Sequence, residues 1–366
     1  MRIEHVEFIP FATRRMIKDN YYGRSLFYLV KMRANDGITG IGEASDILHG
    51  LPPDIGYLTE WLNRRLSGLD PFNTNQVEAV IQSTGIGPLC EGLDTALHDL
   101  LGKALKVPVY ALLGGKVRDS IPIAFPFWAI RSEQEVQRKI DELTYLVDRG
   151  IKTIRIYAGV DVEADMNLLK GIRDKFGYDV LIRSLDLSNR FTPKRAIRFI
   201  KRAEKYEFMY AESPCKDLKG MAEVRRAVDT PISQHVATLE HALAMIENRS
   251  VDIFNIGVAG GGLIQAKKQF VIAEAGGVEC VVGTTQEMTI GTSAQAHLIA
   301  STPNVHYPCD PAGPLIYEKD ITKTRLDLGG GILKVPEGIG LGIELDEERL
   351  KQIRVDPEDQ KSLLLN

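Results

Sequence analysis

Residues 150–186 read GIKTIRIYAGVDVEADMNLLKGIRDKFGYDVLIRSLD, and this stretch decides the fold class. Thr153–Tyr157 and Val180–Leu185 are short runs rich in β-branched residues, as buried strands require. Between them, Val162–Lys175 repeats its apolar residues at the helical period. Apolar strand, amphipathic helix, apolar strand is a βαβ unit, and strands buried on both faces belong to a parallel sheet. The texture recurs from about residue 120, with runs at Ile121–Phe127, Phe208–Ala211, Ile232–Gln234, Ile253–Ile256 and Cys280–Val282 and a weaker eighth near Val305. Helical stretches such as Glu133–Asp148, Pro193–Lys205 and Leu263–Ala275 lie between them. Seven or eight such units imply an α/β fold, a closed (β/α)8 TIM-type barrel with room for one degenerate unit. An open doubly wound sheet would carry a Gly-rich phosphate loop after its first strand, and none follows Ile121–Trp128.

Upstream, the order is strands first and helices after. Ile3, Val6, Phe8 and Phe11 begin one strand pattern, and Leu26–Met32 is a second. Asn35-Asp36-Gly37 predicts a tight hairpin turn into Ile38–Ala44. Helical patterns follow at Ile55–Leu66, Thr74–Ser83 and Cys90–Leu105, so this block is α+β. The tail carries Gly329-Gly330-Gly331 and the Gly-rich segment 336–342, with little core of its own. The division expected is therefore 1–118, completed by about 326–366, and a barrel over 119–325.

The whole chain has 366 residues, 45 Lys+Arg against 49 Asp+Glu, and a net charge of −4. An isoelectric point near 6.0 gives no general attraction to nucleic acid or anionic membranes. No apolar run is long enough to cross a bilayer, and the charged start lacks a signal-peptide pattern. Cys90, Cys215, Cys280 and Cys309 form no CxxC pair and are expected to be core thiols in a reducing compartment. A cytoplasmic enzyme acting on a small molecule is the expectation.

In a parallel barrel the functional groups gather where strands end. Arg155 and Tyr157 follow the second strand, Asp186 the third and Glu212 the fourth. Gln234 and His235 follow the fifth, Asn255 and Gly257 end the sixth, and Glu287 lies in the seventh loop. Carboxylates converging there repel unless a cation or proton lies between them, and Mg2+ or Mn2+ suits oxygen ligands. Asp186 alone could equally be a helix cap, and a single His at a strand end is more often structural than a ligand. His98, His241 and His297, in helical stretches, read as structural. Gly260-Gly261-Gly262 before a helix could hold an anion or simply allow close packing.

At this point several motifs match a known family. The segments 37–44 (GITGIGEA), 91–103 (EGLDTALHDLLGK) and 112–115 (LLGG) resemble conserved stretches of the enolase superfamily, on the muconate-lactonizing-enzyme side. Segments 283–292 (GTTQEMTIGT) and 336–341 (PEGIGL) are similar to two more. The resemblance spans nearly the whole chain. It implies an α+β N-terminal capping domain, built from both chain ends, over a modified TIM barrel. Cap loops near Thr13–Gly23 and Ser45–Gly50 would choose the substrate. The shared chemistry implied is proton abstraction beside a carboxylate, with the enolate held by a metal on three acidic ligands and lysines moving protons. A homo-oligomer is also implied.

The chain departs from the pattern where the chemistry sits. Arg155 and Tyr157 replace the two lysines of the second strand, and Ser188 stands where an Asn is usual. Asp186 and Glu212 keep the first two metal positions, the third becomes His235, and the sixth-strand lysine has no counterpart. Arg155 cannot be a base, but it can clamp a carboxylate or stabilise an enolate. Tyr157 and His235 are the candidate proton carriers, with Glu287 also a catalytic candidate. Two states of the site remain open: Mg2+ or Mn2+ on Asp186, Glu212 and His235, or a metal-free site in which Asp186 pairs with Arg155 or Arg183. The expected activity is an isomerase or lyase of cycloisomerase or dehydratase type, acting on a small carboxylate through an enolate. Racemisation with a base on each face is disfavoured because the sixth strand offers none. The alternative is a non-catalytic or metal-free binding paralogue that retains the fold.

Overall fold

A computed structural model describes residues 1–45 and 54–356. Of the two expected cap loops, residues 46–50 lie outside the described residues. The chain opens with β1 (Ile3–Ile17) and β2 (Asn20–Ala34), antiparallel and joined at Lys18-Asp19, and then β3 (Thr39–Ala44). Thr13–Gly23 is thus not a loop but the end of a long hairpin. The helices α1 (Ile55–Leu66), α2 (Thr74–Gln82) and α3 (Gly87–Leu105) follow, with the short turn α4 (Val109–Leu112). The alternation of a strand puts Val6, Phe8, Tyr28, Val30 and Met32 against these helices. Ile9, Phe11, Phe27, Leu29 and Ile41 face the other way and join the barrel core. Both faces of the small sheet are therefore buried.

The contact of β3 with α3 is backbone on backbone. A methyl group at Gly42 would meet Gly92 O at 2.0 Å, and one at Gly40 would meet Ala96 O at 2.1 Å. The glycines of the 37–44 motif are there to let strand and helix touch.

The run Ile121–Phe127 does not form one strand. Its first part, β4 (Ser120–Pro122), pairs with the tail strand, and only β5 (Phe125–Phe127) enters the barrel. Pro122 and Pro126 each lack an N–H, which weakens any continuous ladder through this run. Then α5 (Glu135–Val147), β6 (Thr153–Tyr157), α6 (Val162–Phe176), β7 (Leu181–Asp186), α7 (Pro193–Ala203) and β8 (Tyr210–Glu212) alternate. The pattern continues through α8 (Leu218–Ala227), β9 (Ile232–His235), α9 (Leu239–Glu247), β10 (Ile253–Ile256), α10 (Leu263–Gly276), β11 (Glu279–Val282) and α11 (Thr289–Ala300). The strands β5 to β11 form one parallel sheet in sequence order. The eighth position is a bare segment. Asp310 N–H donates to Val282 O (3.1 Å) on one edge, and Ala124 N–H donates to Cys309 O (2.7 Å) on the other. The weak run near Val305 thus closes the barrel without a full strand. In the tail, β12 (Ile332–Lys334) pairs with β4, and α12 (Glu347–Ile353) packs on β1.

Several contacts bind cap to barrel. Glu43 accepts N–H bonds from Met288 (2.7 Å) and Gly291 (3.0 Å) at the start of α11. Tyr22, near the hairpin tip, stacks on Trp128 at 4.5 Å. The Gly260–Gly262 triplet takes no outside anion, because Leu263 N–H donates to Asp94 Oδ2 of α3 (2.5 Å). No helix among the described residues is long and apolar enough to cross a membrane.

Gly42→Ala should therefore destabilise the chain by about 2 kcal/mol or more, since the atoms it meets are backbone and cannot swing aside. Urea unfolding followed by circular dichroism reads this, and a loss within experimental error would show that β3 and α3 can part.

Candidate active site

Strand register assembles the site. In β6, Arg155 and Tyr157 share one face, two residues apart, while Ile154 and Ile156 turn to the other. Tyr157 is level with Asp186, Asp186 with Glu212, and His235 with Asn255. The C-terminal ends of β6, β7, β8 and β9 thereby present Tyr157, Asp186, Glu212 and His235 in a row along the barrel wall. A cavity of about 320 Å3 lies over them, lined by Arg155, Tyr157, Asp186, Ser188, Asn189, Ser213, His235, Thr284, Thr285 and Gln286. Every one of these side chains is polar.

One irregularity matters. Ile154 pairs with Ile182, but Arg155 pairs with Ser184, so Arg183 is the extra residue of a β-bulge. Bulges re-aim side chains. Here the bulge accompanies a fully buried arginine that reaches Asp310 Oδ1 (2.6 Å) and donates to Pro308 O (3.0 Å).

Arg155 is the hub. Its Nη1 pairs with Asp310 Oδ2 at 2.6 Å and lies 3.8 Å from Glu212 Oε1. Its Nη2 lies 3.5 Å from Asp186 Oδ2 and donates to the Tyr157 hydroxyl, and the guanidinium carbon lies 4.4 Å from the centre of the Tyr157 ring. Burial disfavours the charge, but Asp310, Glu212 and Asp186 more than offset it, so Arg155 stays protonated. Glu212 Oε1 accepts from Asn255 Nδ2 (2.9 Å) and His235 Nε2 (3.0 Å), and Oε2 accepts from Ser184 Oγ (3.4 Å). Burial would raise the Glu212 carboxyl, yet Arg155, His235 and Arg183 hold it well below the usual range. Its neighbour Asp186 moves the other way. Burial and the Glu212 charge raise it, against the pull of Arg155 and His235. His235 is half-exposed; desolvation opposes its charge, but the bond and charge of Glu212 lift it above an ordinary imidazole.

The structure brings Arg155, Tyr157, Asp186, Glu212 and His235 together. Glu287 stands apart from them. It is buried, Thr284 Oγ1 donates to one of its oxygens, and Thr285 N and Oγ1 donate to the other (2.9 and 2.8 Å). Those bonds hold the loop that carries Gln286, and Glu287 is not among the residues lining the cavity. Gln286 accepts from Arg15 of the hairpin (3.2 Å) and is 3.4 Å from the Tyr157 hydroxyl. Asp310 went unread in the sequence. The signal was a polar residue ending the weak eighth run, and Pro303 and Pro308 blur that run.

The site residues do not fit a divalent ion. The Arg155 guanidinium already stands among Asp186, Glu212 and Asp310. His235 commits its Nε2 to Glu212, and Asp186 Oδ1 accepts from Ser188 N (2.8 Å) and Oγ (3.2 Å). Among the described residues, no three His, Cys, Asp or Glu side chains are disposed to hold a metal. Of the expected set, Glu212 and His235 pair directly, while Asp186 faces Arg155 and Ser188.

Comparison with known proteins agrees with the architecture. The family model "Enolase C-terminal domain-like" matches residues 138–349, and "Mandelate racemase / muconate lactonizing enzyme, N-terminal domain" matches 19–114. The chain is 29% identical to a hydrophobic dipeptide epimerase of Enterococcus faecalis over 86% of each chain. It is 26% identical to an N-succinyl-L-Arg/Lys racemase of Bacillus cereus over 95% of each. A mandelate racemase/muconate lactonizing family protein from Azoarcus sp. EbN1 superposes with a TM-score of 0.87, at 27% identity and 98% coverage of both chains.

Asp310→Asn should cost about 3–5 kcal/mol, because it removes the negative charge shared by two buried guanidinium groups. Denaturant titration checks this, and a change below about 1 kcal/mol would mean the network contributes no more than an exposed pair.

Proposed function

Because this chain belongs to the mandelate racemase/muconate lactonizing enzyme family of the enolase superfamily, we propose that it moves a proton at the carbon next to a carboxylate, in a small hydroxyl-rich substrate. The observation that carries this is the His235–Glu212 contact, made in the cavity that also holds Arg155 and Tyr157. Glu212 keeps a proton on Nε2, which leaves Nδ1 as the basic nitrogen, strengthened by the neighbouring carboxylate. His235 takes the proton from the substrate carbon, and the electron pair moves onto the substrate carboxylate. Arg155, already aligned and desolvated, faces that developing charge without reorganisation. Tyr157 stands three strands away along the wall and donates its hydroxyl proton. In an isomerase that proton goes to carbon; in a lyase it goes to the departing oxygen. Both side chains then re-equilibrate with solvent.

The substrate class follows from the lining. Ser188, Asn189, Ser213, Thr284, Thr285 and Gln286 offer hydroxyls and amides, and no apolar side chain lines the described wall. Such a wall suits a sugar acid better than an apolar diacid or dipeptide. Four free, buried thiols suit a reducing cytoplasmic setting. A second reading, a binding paralogue without turnover, draws support from the fact that each carboxylate of the site already has a cationic partner.

The test is deuterium exchange. Sugar acids, lactones, N-acyl amino acids, dipeptides and muconate-like diacids are incubated with the protein in D2O and read by NMR. Exchange of the proton beside the carboxylate is expected in a sugar acid, falling about 10²- to 10⁴-fold in His235→Gln. Its rate should climb as pH rises through the raised His235 pKa, since only the neutral ring is a base. Ligand-induced thermal stabilisation with no exchange in any compound would reject the catalytic reading and leave the binding one.

A further inference from the structure

Asp186, Glu212 and Asp310 are all buried at the barrel mouth. Three carboxylates so desolvated would repel one another and draw in a cation. This chain brings its own. Arg155 touches all three, and Arg183 pairs with Asp310 and lies 3.7 Å from Glu212. Their three negative charges meet two guanidinium charges within the network, and Glu212 also accepts from His235 Nε2 (3.0 Å). A divalent ion added to this set would turn one net negative charge into one net positive charge in a buried site, beside two guanidinium groups. Arg155 is also held too firmly to yield. It is 2% exposed, rests against the Tyr157 ring, and shares Asp310 with Arg183, whose position follows from a β-bulge in the backbone.

We propose that Arg155, anchored through Asp310 to Arg183, is the resident cation of this site, occupying the place among the carboxylates that the fold family gives to a divalent metal. The buried carboxylates are therefore met by positive charge without a metal ion. This goes beyond the proton-transfer reading and does not rest on it, because metal content is read without substrate.

The experiment takes the purified full-length protein, dialyses it against a chelator, and then titrates it with Mn2+. Bound Mn2+ is followed by electron paramagnetic resonance and mass spectrometry, and the melting temperature is followed alongside. The wild type is expected to take up no stoichiometric Mn2+ at millimolar concentration, and neither chelator nor Mn2+ should shift its melting temperature. Arg155→Ala leaves Asp186 without its guanidinium partner and Glu212 with Arg183 alone, and should bind Mn2+ and melt higher in its presence. Arg155→Lys keeps a cation in place and should bind none. One Mn2+ per wild-type chain, lost in Asp186→Asn, would overturn the proposal. So would a folded Arg155→Ala, checked by circular dichroism, that gains no Mn2+. If Arg155→Ala does not fold, the wild-type titration alone decides.

Discussion

A carboxylate taken out of water must be met by positive charge or by donors, and at this barrel mouth that requirement organises everything else. Glu212 is completely buried. It is tolerated there because Asn255, His235 and Ser184 donate to it and two guanidinium groups flank it. Those partners come from β6, β7, β9 and β10, so the ladder of β6 to β10 and the charge network specify one another. Replacing such a network by apolar residues of similar volume can be energetically neutral, whereas removing one partner strands a buried charge. The same desolvation that makes the ions demanding makes them effective, because an oriented N–H in a dry cavity acts strongly on any charge that develops beside it.

The cap is tied to this network by backbone geometry. Glycines at 40 and 42 let β3 lie directly on α3, which places Glu43 under the start of α11. Burial pushes Glu43 up to about 8 against those two N–H bonds, with repulsion from Glu287 and Asp320 adding to it. The seventh loop, between β11 and α11, is therefore gripped from the cap at one side and by Glu287 within itself. Gln286, projecting from it with a left-handed backbone (φ 69°), links Arg15 of the hairpin to Tyr157 of the barrel. A change in how the hairpin seats would be felt at the Tyr157 hydroxyl through only two side chains.

The elements most legible in the sequence were those with strong periodicity. Thr153–Tyr157, Ile253–Ile256 and Ile55–Leu66 form over the residues their patterns indicated. Legibility failed where a local rule competed with a tertiary one. Ile121–Phe127 reads as one apolar run, yet it serves two sheets, because the tail strand competes for Ile121 and the two prolines interrupt the ladder. Thr13–Gly23 was expected to be a cap loop on the family resemblance alone. It is strand because β1 and β2 pair through it as far as Ile17 and Asn20, with Tyr317 bridging to Arg15 on the other edge. Asp310 was invisible because the eighth barrel position carries almost no strand signal.

Read without coordinates, the chain determined its layers, the barrel, the strand ends that carry Arg155, Tyr157, Asp186, Glu212 and His235, and the loss of the family's lysines. These are matters of period and of residue type at a fixed place, which a linear string records. Tertiary structure alone decided which charge lies between the carboxylates. The sequence is equally consistent with a metal on Asp186, Glu212 and His235 and with an internal ion pair. The choice turns on a one-residue bulge that accompanies an inward Arg183 and on an aspartate that arrives from 155 residues away to join Arg155. Distances across a closed barrel depend on where the circle shuts, and no local pattern carries that information.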